Sequence, residues 1–146
     1  MPRPFSFKLE KVLDYRGQLE EQAKAALAKA QTDHDTQKEK VENLTQSMAT
    51  HLAKEHESQK TANDMWLWRQ YKDALEQDLS RERLMLSKLE LNLHQRRKEA
   101  VDKSKDRKLL EKLKETQAKK YHDEERAREE KENDEMATIR YKSQDF

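Results

Sequence analysis

After Pro4 the chain has no further proline, and its one glycine is Gly17. Tight turns and short strand connections depend on these two residue types, so a fold with many strands is poorly supplied. The other residues are rich in Ala, Leu, Glu, Lys, Gln and Arg, which lose little conformational freedom on entering a helix. The sequence therefore predicts long helices or a coiled coil.

The apolar content is too low for a compact core. Hydrophobic residues make up 33% of the 146 residues, charged residues make up 42%, and the mean hydropathy is −1.36. Intrinsic disorder is the competing interpretation, but the net charge is only +1 and Leu recurs at helical spacing. This balance favours a slender pair of helices.

Two heptad seams run along the chain, each wide enough to pair with one neighbour. The apolar members of the first are Leu9, Leu13, Ala23, Leu27, Ala30, Val41, Leu44 and Met48. Those of the second are Leu75, Leu79, Leu86, Leu89, Leu93, Ala100, Leu110 and Tyr121. Polar residues interrupt both seams, at Arg16, Glu20, His34 and Gln37 and at Arg96, Lys103, Arg107, Lys114 and Gln117.

The two seams are out of phase. Met48 and Lys72 occupy equivalent heptad positions, but they are 24 residues apart, which is three heptads plus three residues. Between them Thr61 is suited to cap a helix that has Asp64 in its first turn. We expect one coiled-coil domain over 1–146, with helix 1 at about 7–57, a turn at about 58–62 and helix 2 at about 63–140. A single continuous helix with a local phase slip is the alternative.

Folding back near residue 60 places Leu27 opposite Leu93 and Leu9 opposite Leu110. Helix 2 then lacks an intramolecular partner beyond about residue 113, where the sequence is almost uniformly charged. The predicted fold is all-α, with two long helices in an antiparallel coiled-coil hairpin and an extended charged C-terminal helical tail. We expect the tail to become ordered against another protein, because surface ion pairs stabilise a lone helix only weakly.

The sequence lacks the residue patterns that mark catalytic, phosphate-binding and metal sites. It has no Cys and no glycine-rich phosphate loop, and no two histidines stand four residues apart. A two-stranded coil also provides no concave site for a reaction. We therefore predict no enzymatic activity, no metal and no cofactor. The histidines that this excludes as ligands are His34, His51, His56, His94 and His122.

Charge is distributed unevenly along helix 2. Residues 81–114 carry 12 Lys or Arg against 6 Asp or Glu, whereas residues 119–136 carry 5 against 8. Nucleic acid is not expected as a partner, because no stacking aromatic residues are interleaved with the basic ones. No apolar run reaches the roughly 20 residues that cross a bilayer, and the amino terminus lacks a signal-peptide core, so a cytoplasmic location is expected.

The stretch TANDMWLWRQYKDAL at 61–75 holds both tryptophans of the chain. Some of these side chains could close the hairpin by covering Met48 and Leu52. However, residues two apart are about 200° apart around a helix, so one seam cannot bury both tryptophans. Exposed Trp and Tyr commonly anchor protein interfaces. We therefore predict a docking patch formed by Trp66, Trp68, Tyr71 and Leu75.

Three segments resemble the FliJ family, small components of the flagellar type III export apparatus. They are PFSFKLEKVLDYRGQLEEQAKAALAKAQ at 4–31, WLWRQYKDALEQDL at 66–79 and EKENDEMATIRYKS at 130–143. The most specific matches are the run from Phe7 to Arg16 and the DEMA sequence from Asp134 to Ala137. The heptads between them are common to coiled coils.

The resemblance implies a non-enzymatic rod that couples the hexameric export ATPase to the membrane-embedded export gate and assists export chaperones. It implies a cytoplasmic protein held at the inner membrane of the flagellar base through its partners. The gate segment corresponds best to Tyr71 and Leu75, although Asp78 and Glu82 are acidic where that stripe would continue. At the termini end, the residues expected to contact the ring are Phe7, Leu9, Val12, Leu13, Tyr121 and Met136.

A second hypothesis from a different class remains open at this stage. The chain could be a generic cytoplasmic coiled-coil adaptor or scaffold that dimerises through its seams. The mass in solution separates the two hypotheses, since one chain is 17.5 kDa.

Overall fold

A computed structural model describes residues 3–144, with side chains through residue 142. It contains two long helices, α1 (Glu10–Ala53) and α2 (Ala62–Gln144), and a short 3-10 helix (Glu55–Ser58) between them. No strand occurs within these described residues. The all-α antiparallel hairpin predicted from the seams is thereby confirmed.

The turn is built without glycine or proline. Lys54 follows the last residue of α1, and its carbonyl oxygen accepts a hydrogen bond from the amide of Glu57 at 3.1 Å. The hydroxyl of Thr61 then accepts a hydrogen bond from the amide of Asp64 at 3.1 Å, which satisfies one of the free amides at the start of α2. The predicted N-cap of the second helix is confirmed.

The heptad positions predicted from sequence make up the interior. About half of the apolar seam residues are buried, and so is the charged residue Glu20. The other apolar seam residues except Leu9 are half-buried. Leu9 is exposed instead, because α1 begins only at Glu10 and Phe7 takes the place beside Leu110. The buried apolar residues are Phe7, Leu13, Ala30, Val41, Leu75, Leu79, Leu93, Ala100 and Leu110.

Two compact units divide the described chain. One unit contains residues 21–102, and the other contains residues up to 20 together with those from 103 onward. In the unit of residues 21–102, polar side chains fix the helix register: Gln37 donates to the Glu82 carboxylate at 2.6 Å, and Arg97 donates to Gln31 at 2.9 Å. These pairs match a chain reversal near residue 60.

The unit that holds both termini is fixed by ion pairs within its seam. Arg107 binds the buried carboxylate of Glu20 and also contacts Glu111 at 2.7 Å. Lys114 contacts Glu10 at 2.9 Å. Breaking a buried ion pair by removing one partner leaves an uncompensated charge, so the pairing of Arg107 with Glu20 favours a single register.

Contacts in this unit extend further along α2 than residue 113, where the sequence places the start of the unpaired tail. The hydroxyl of Tyr121 donates to the backbone carbonyl of Arg3, and the rings of Phe5 and Tyr121 lie 5.7 Å apart. Residues 3–9 are not helical, and an extended segment covers roughly twice as much length per residue as a helix. The short N-terminal segment therefore reaches further along α2 than a helix would. Residues 126–142 are all exposed.

Gly17 lies inside α1, and packing against other residues does not require a glycine there. A Cβ atom added there would meet no other atom within 4 Å among the described residues. The glycine is thus tolerated and does not serve a close approach of the two helices.

The phase of the second seam is tested by two neighbouring leucines, Leu93 (5% exposed) and Leu91 (73% exposed). Replacing Leu93 with Ala removes buried methyl groups and leaves a cavity, and it should lower the free energy of unfolding by about 2 to 3 kcal/mol. The matched change Leu91→Ala should alter it by less than about 0.5 kcal/mol. Urea unfolding followed by circular dichroism measures both, and equal effects would contradict the register.

Candidate functional site

The two tryptophans near the turn have different surroundings. Trp68 points inward: its indole nitrogen donates to the carbonyl oxygen of His51 at 3.0 Å, and its ring stacks on the His51 ring at 4.8 Å. The Nε2 atom of His51 lies 2.9 Å from the Trp68 carbonyl oxygen, which can only accept, so this nitrogen carries the proton. This reciprocal pair joins the end of α1 to the start of α2.

Trp66 and Tyr71 point outward. Their side chains are 57% and 53% exposed, although the Tyr71 ring also packs edge-on against His51 at 4.6 Å. The exposure of Trp66 agrees with the helical geometry, by which one seam cannot bury both tryptophans. These two aromatic side chains are available to a partner.

Leu75 does not belong to this exposed group. It is 7% exposed and packs inside the seam, so a partner could reach it only by separating the helices. The sequence analysis places Trp68 and Leu75 in the docking patch because they lie close to Trp66 and Tyr71 along α2. In the structure, both side chains instead hold α1 and α2 together. Trp66 and Tyr71 remain from the predicted set.

Three further apolar side chains near the turn are exposed: Leu52 at the end of α1, and Met65 and Leu67 on either side of Trp66 in the sequence. The sequence reasoning treated Leu52 only as a residue to be covered, and it missed Met65 and Leu67. Their places next to Trp66 in the chain could have indicated these two. We call the exposed group the tip patch, and its members are Leu52, Met65, Trp66, Leu67 and Tyr71.

A polar groove adjoins the tip patch at Tyr71. Most of it comes from residues 43–53, which contain no Asp, Glu, Lys or Arg, although charged residues make up 42% of the chain. The groove has a volume of about 500 Å³, and its lining is Asn43, Gln46, Ser47, Thr50, His51, Lys54 and Tyr71. Side-chain amides and hydroxyls there both donate and accept hydrogen bonds and Lys54 adds one positive charge, so the groove suits a polar segment of a partner.

Two acidic residues lie where the expected gate-contacting stripe of α2 would continue past Leu75. Glu82, which would continue the expected gate-contacting stripe, accepts hydrogen bonds from Gln37 and lies 3.2 Å from Lys40. Asp78 contacts Arg81. Both carboxylates are thus engaged within the unit of residues 21–102 and do not extend the tip patch.

The residues expected to contact the ring also divide into two groups. Phe7 and Leu13 form a buried cluster with Leu110, so they stabilise the hairpin. Tyr121 is half-buried against the N-terminal segment. The side chains that remain exposed from this set are Leu9, Val12 and Met136.

The C-terminal part of α2 adds two apolar side chains that the sequence reasoning did not name. Ile139 and Tyr141 are exposed close to Met136 in the chain. Their residue types amid charged neighbours could have marked them. Met136 and Ile139 are three residues apart and lie on the same side of the helix.

The described residues contain neither a candidate metal-ion site nor a candidate membrane-spanning helix. No group of three His, Cys, Asp or Glu side chains lies close enough together there to hold a metal ion. Neither helix between residues 3 and 144 has a stretch long and apolar enough to span a bilayer.

Comparison with known families decides what kind of protein this is. Residues 5–145 match the family model described as Flagellar FliJ protein. The chain belongs to the FliJ family. It is therefore a flagellar protein associated with export, as its first, central and last segments indicate. Searches of curated proteins and of solved structures found no match.

The contact at Glu82 gives this FliJ-family chain a pH dependence. The hydrogen bond from Gln37, followed by that from Lys40, lowers the pKa of the Glu82 carboxyl below its ordinary value. A carboxyl with a lowered pKa in the folded state stabilises the fold above its unfolded pKa. This stabilisation is lost as the pH falls through the lower, folded-state pKa.

We predict that Glu82→Gln lowers the melting temperature at pH 7 and flattens its decline between about pH 5 and pH 3. The control is Glu42→Gln, because Glu42 is exposed on α1. Melting curves recorded by circular dichroism over this pH range provide the measurement. Parallel profiles for Glu82→Gln and the unmodified chain would show that Glu82 does not contribute.

Proposed function

We propose that this protein is a non-enzymatic stalk that couples the hexameric flagellar export ATPase to the export-gate membrane protein and assists export chaperones. In this proposal it is a cytoplasmic protein held at the cytoplasmic face of the inner membrane at the flagellar base. Membership of the FliJ family supports the general setting. The observation that carries the coupling role is that each compact unit has an exposed surface, the tip patch in residues 21–102 and residues 126–142 in the other unit.

Residues 126–142 are the proposed contact with the ATPase ring. They are helical and exposed, and a helix gains most of its stability in proteins by packing an apolar face. Met136 and Ile139 provide such a face. Leu9 and Val12 add exposed apolar side chains near the amino terminus.

Asymmetry provides the mechanism of coupling. A single stalk cannot make the same contacts with all six subunits of a ring, so its binding favours different states in different subunits. Binding energy can shift a conformational equilibrium only by its difference between states. Hydrolysis itself belongs to the ring in this proposal.

The tip patch is the proposed contact with the export gate. Tyr and Trp are enriched among the residues that contribute most to binding at protein interfaces. Trp66 and Tyr71 provide two such anchors, and the polar groove lined by Tyr71 offers hydrogen bonds to the same partner. We assign no residues to the chaperone contact.

The adaptor hypothesis receives less support. Homodimerisation through the seams needs seams that face another molecule, whereas Leu79 and Leu93 are buried within a single chain.

The full-length chain should stimulate ATP hydrolysis by the purified hexameric ATPase. A chain that ends at residue 125 keeps Tyr121 and its N-terminal contacts, so its melting temperature should change by only about 3 °C or less. Its stimulation of the ATPase should fall by about tenfold or more, because the proposed ring contact is removed. The coupling role is wrong if the full-length chain neither stimulates the ATPase nor comigrates with it.

For the tip patch, we predict that Trp66→Ala combined with Tyr71→Ala weakens binding to the cytoplasmic part of the gate protein by about 30-fold or more. Isothermal titration calorimetry measures the affinity, and circular dichroism should show nearly unchanged helicity because both side chains are exposed. Leu91→Ala is the control for loss of an exposed apolar side chain elsewhere on α2. A large loss of helicity in the double variant would instead place the two aromatic residues in the core.

A further inference from the structure

One side of α2 carries four exposed lysines over residues 105–119. Lys105, Lys108, Lys112 and Lys119 are separated by three, four and seven residues, which places them on the same side of a helix. The buried residue Leu110 lies between them in sequence but on the opposite side, toward α1. We call these four residues the lysine face.

The charges of the lysine face are not neutralised by neighbouring carboxylates. Among the described residues, none of the four lysines takes part in an ion pair or a side-chain hydrogen bond. Nearby arginines are engaged, since Arg107 binds Glu20 and Arg128 contacts Glu125 at 3.0 Å. Two carboxylates border the face: Glu115, three residues after Lys112 and four before Lys119, and Glu111, which Arg107 contacts.

This positive charge is local. Residues 103–120 carry eight Lys or Arg and three Asp or Glu, a net charge of +5, whereas the whole chain has a net charge of +1. Residues 121–135 carry eight Asp or Glu and three Lys or Arg, a net charge of −5. Attraction to an anionic partner must therefore depend on the placement of the lysines and not on the total charge.

The residue types indicate the kind of anionic partner. Lysine is a compact, hydrated point charge, whereas arginine is the residue that recognises individual carboxylates and phosphates through paired hydrogen bonds. The face has no aromatic side chain on which a nucleic-acid base could stack. Leu109, which is 65% exposed, lies beside Lys105 and Lys112 and adds an apolar side chain. A cluster of four lysines on one side of a helix attracts the anionic headgroups of a membrane, and the leucine can add a small apolar contact.

We propose that the lysine face binds the surface of an anionic phospholipid bilayer, with this part of α2 lying along the membrane and Leu109 entering the headgroup region. Each lysine near such a surface strengthens binding by about fivefold. The contact is direct, so it goes beyond a membrane association that depends on protein partners. It also does not require the stalk function to be correct.

The test uses the full chain and sedimentation with vesicles. The chain should sediment with phosphatidylcholine vesicles that contain about 30 mol% phosphatidylglycerol, but not with pure phosphatidylcholine. Binding should disappear at roughly 0.5 M salt, where exposed charges are screened. Absence of sedimentation with the anionic vesicles at low salt would overturn the proposal.

Matched variants test the placement of charge. Changing all four lysines of the face to Gln should weaken vesicle binding by roughly 100-fold or more. The control changes four exposed lysines elsewhere to Gln and alters the net charge equally, so it should retain binding within about threefold. The control positions are Lys11, Lys29, Lys60 and Lys88. Equal losses in the two variants would contradict a localised face.

Two further measurements keep the proposal falsifiable. Leu109→Ser should weaken vesicle binding about threefold to fivefold without changing its salt dependence, because the leucine contributes apolar contact and no charge. Circular dichroism checks that each variant stays helical, and the pairs Lys105→Gln with Lys108→Gln and Lys112→Gln with Lys119→Gln replace the fourfold variant if it unfolds. If the chain binds duplex DNA or an acidic polypeptide through these lysines but does not bind the anionic vesicles, the lipid assignment is wrong.

Discussion

Everything in this structure depends on pairing two imperfect heptad seams in one antiparallel register. The apolar residues of each seam are few, and charged or polar residues occupy several interior positions. Within the termini-bearing unit, the pairing of Arg107 with the buried Glu20 satisfies a charge that any other register would leave uncompensated. Within residues 21–102, the hydrogen bond from Gln37 to the Glu82 carboxylate likewise forms only in this register. Apolar burial thus stabilises the pair, and polar contacts select its alignment.

The interior could be predicted because heptad spacing alone assigns positions such as Glu20 and Gln37 to the inside of a two-helix coil. Phase also located the turn between Met48 and Lys72. Spacing could not show that Phe7 would replace Leu9, since this depends on an N-terminal segment that is not helical. The same segment extends the pairing beyond residue 113.

The tip was harder to predict than the seams. Periodicity shows that Trp66 and Trp68 cannot both be buried, but the choice depends on where His51 presents its carbonyl oxygen at the end of α1. That geometry is a tertiary property of the turn. Leu75 is buried by the seam although it shares a turn with Tyr71, so the tip patch consists of side chains outside the heptad pattern. The proposed gate contact therefore rests on a smaller aromatic surface and a polar groove.

The distance between the two helices of one molecule tests this account most directly. The chain has no Cys, so Ala28→Cys and Gln95→Cys, both at exposed positions, introduce unique sites for spin labels. With labelled chains diluted in unlabelled ones, the hairpin predicts a distance of about 15 to 30 Å, because packed helix axes lie roughly 8 to 10 Å apart and the labels add to this. A continuous helix would separate the labels by about 100 Å at its rise of about 1.5 Å per residue, and that result would contradict the hairpin.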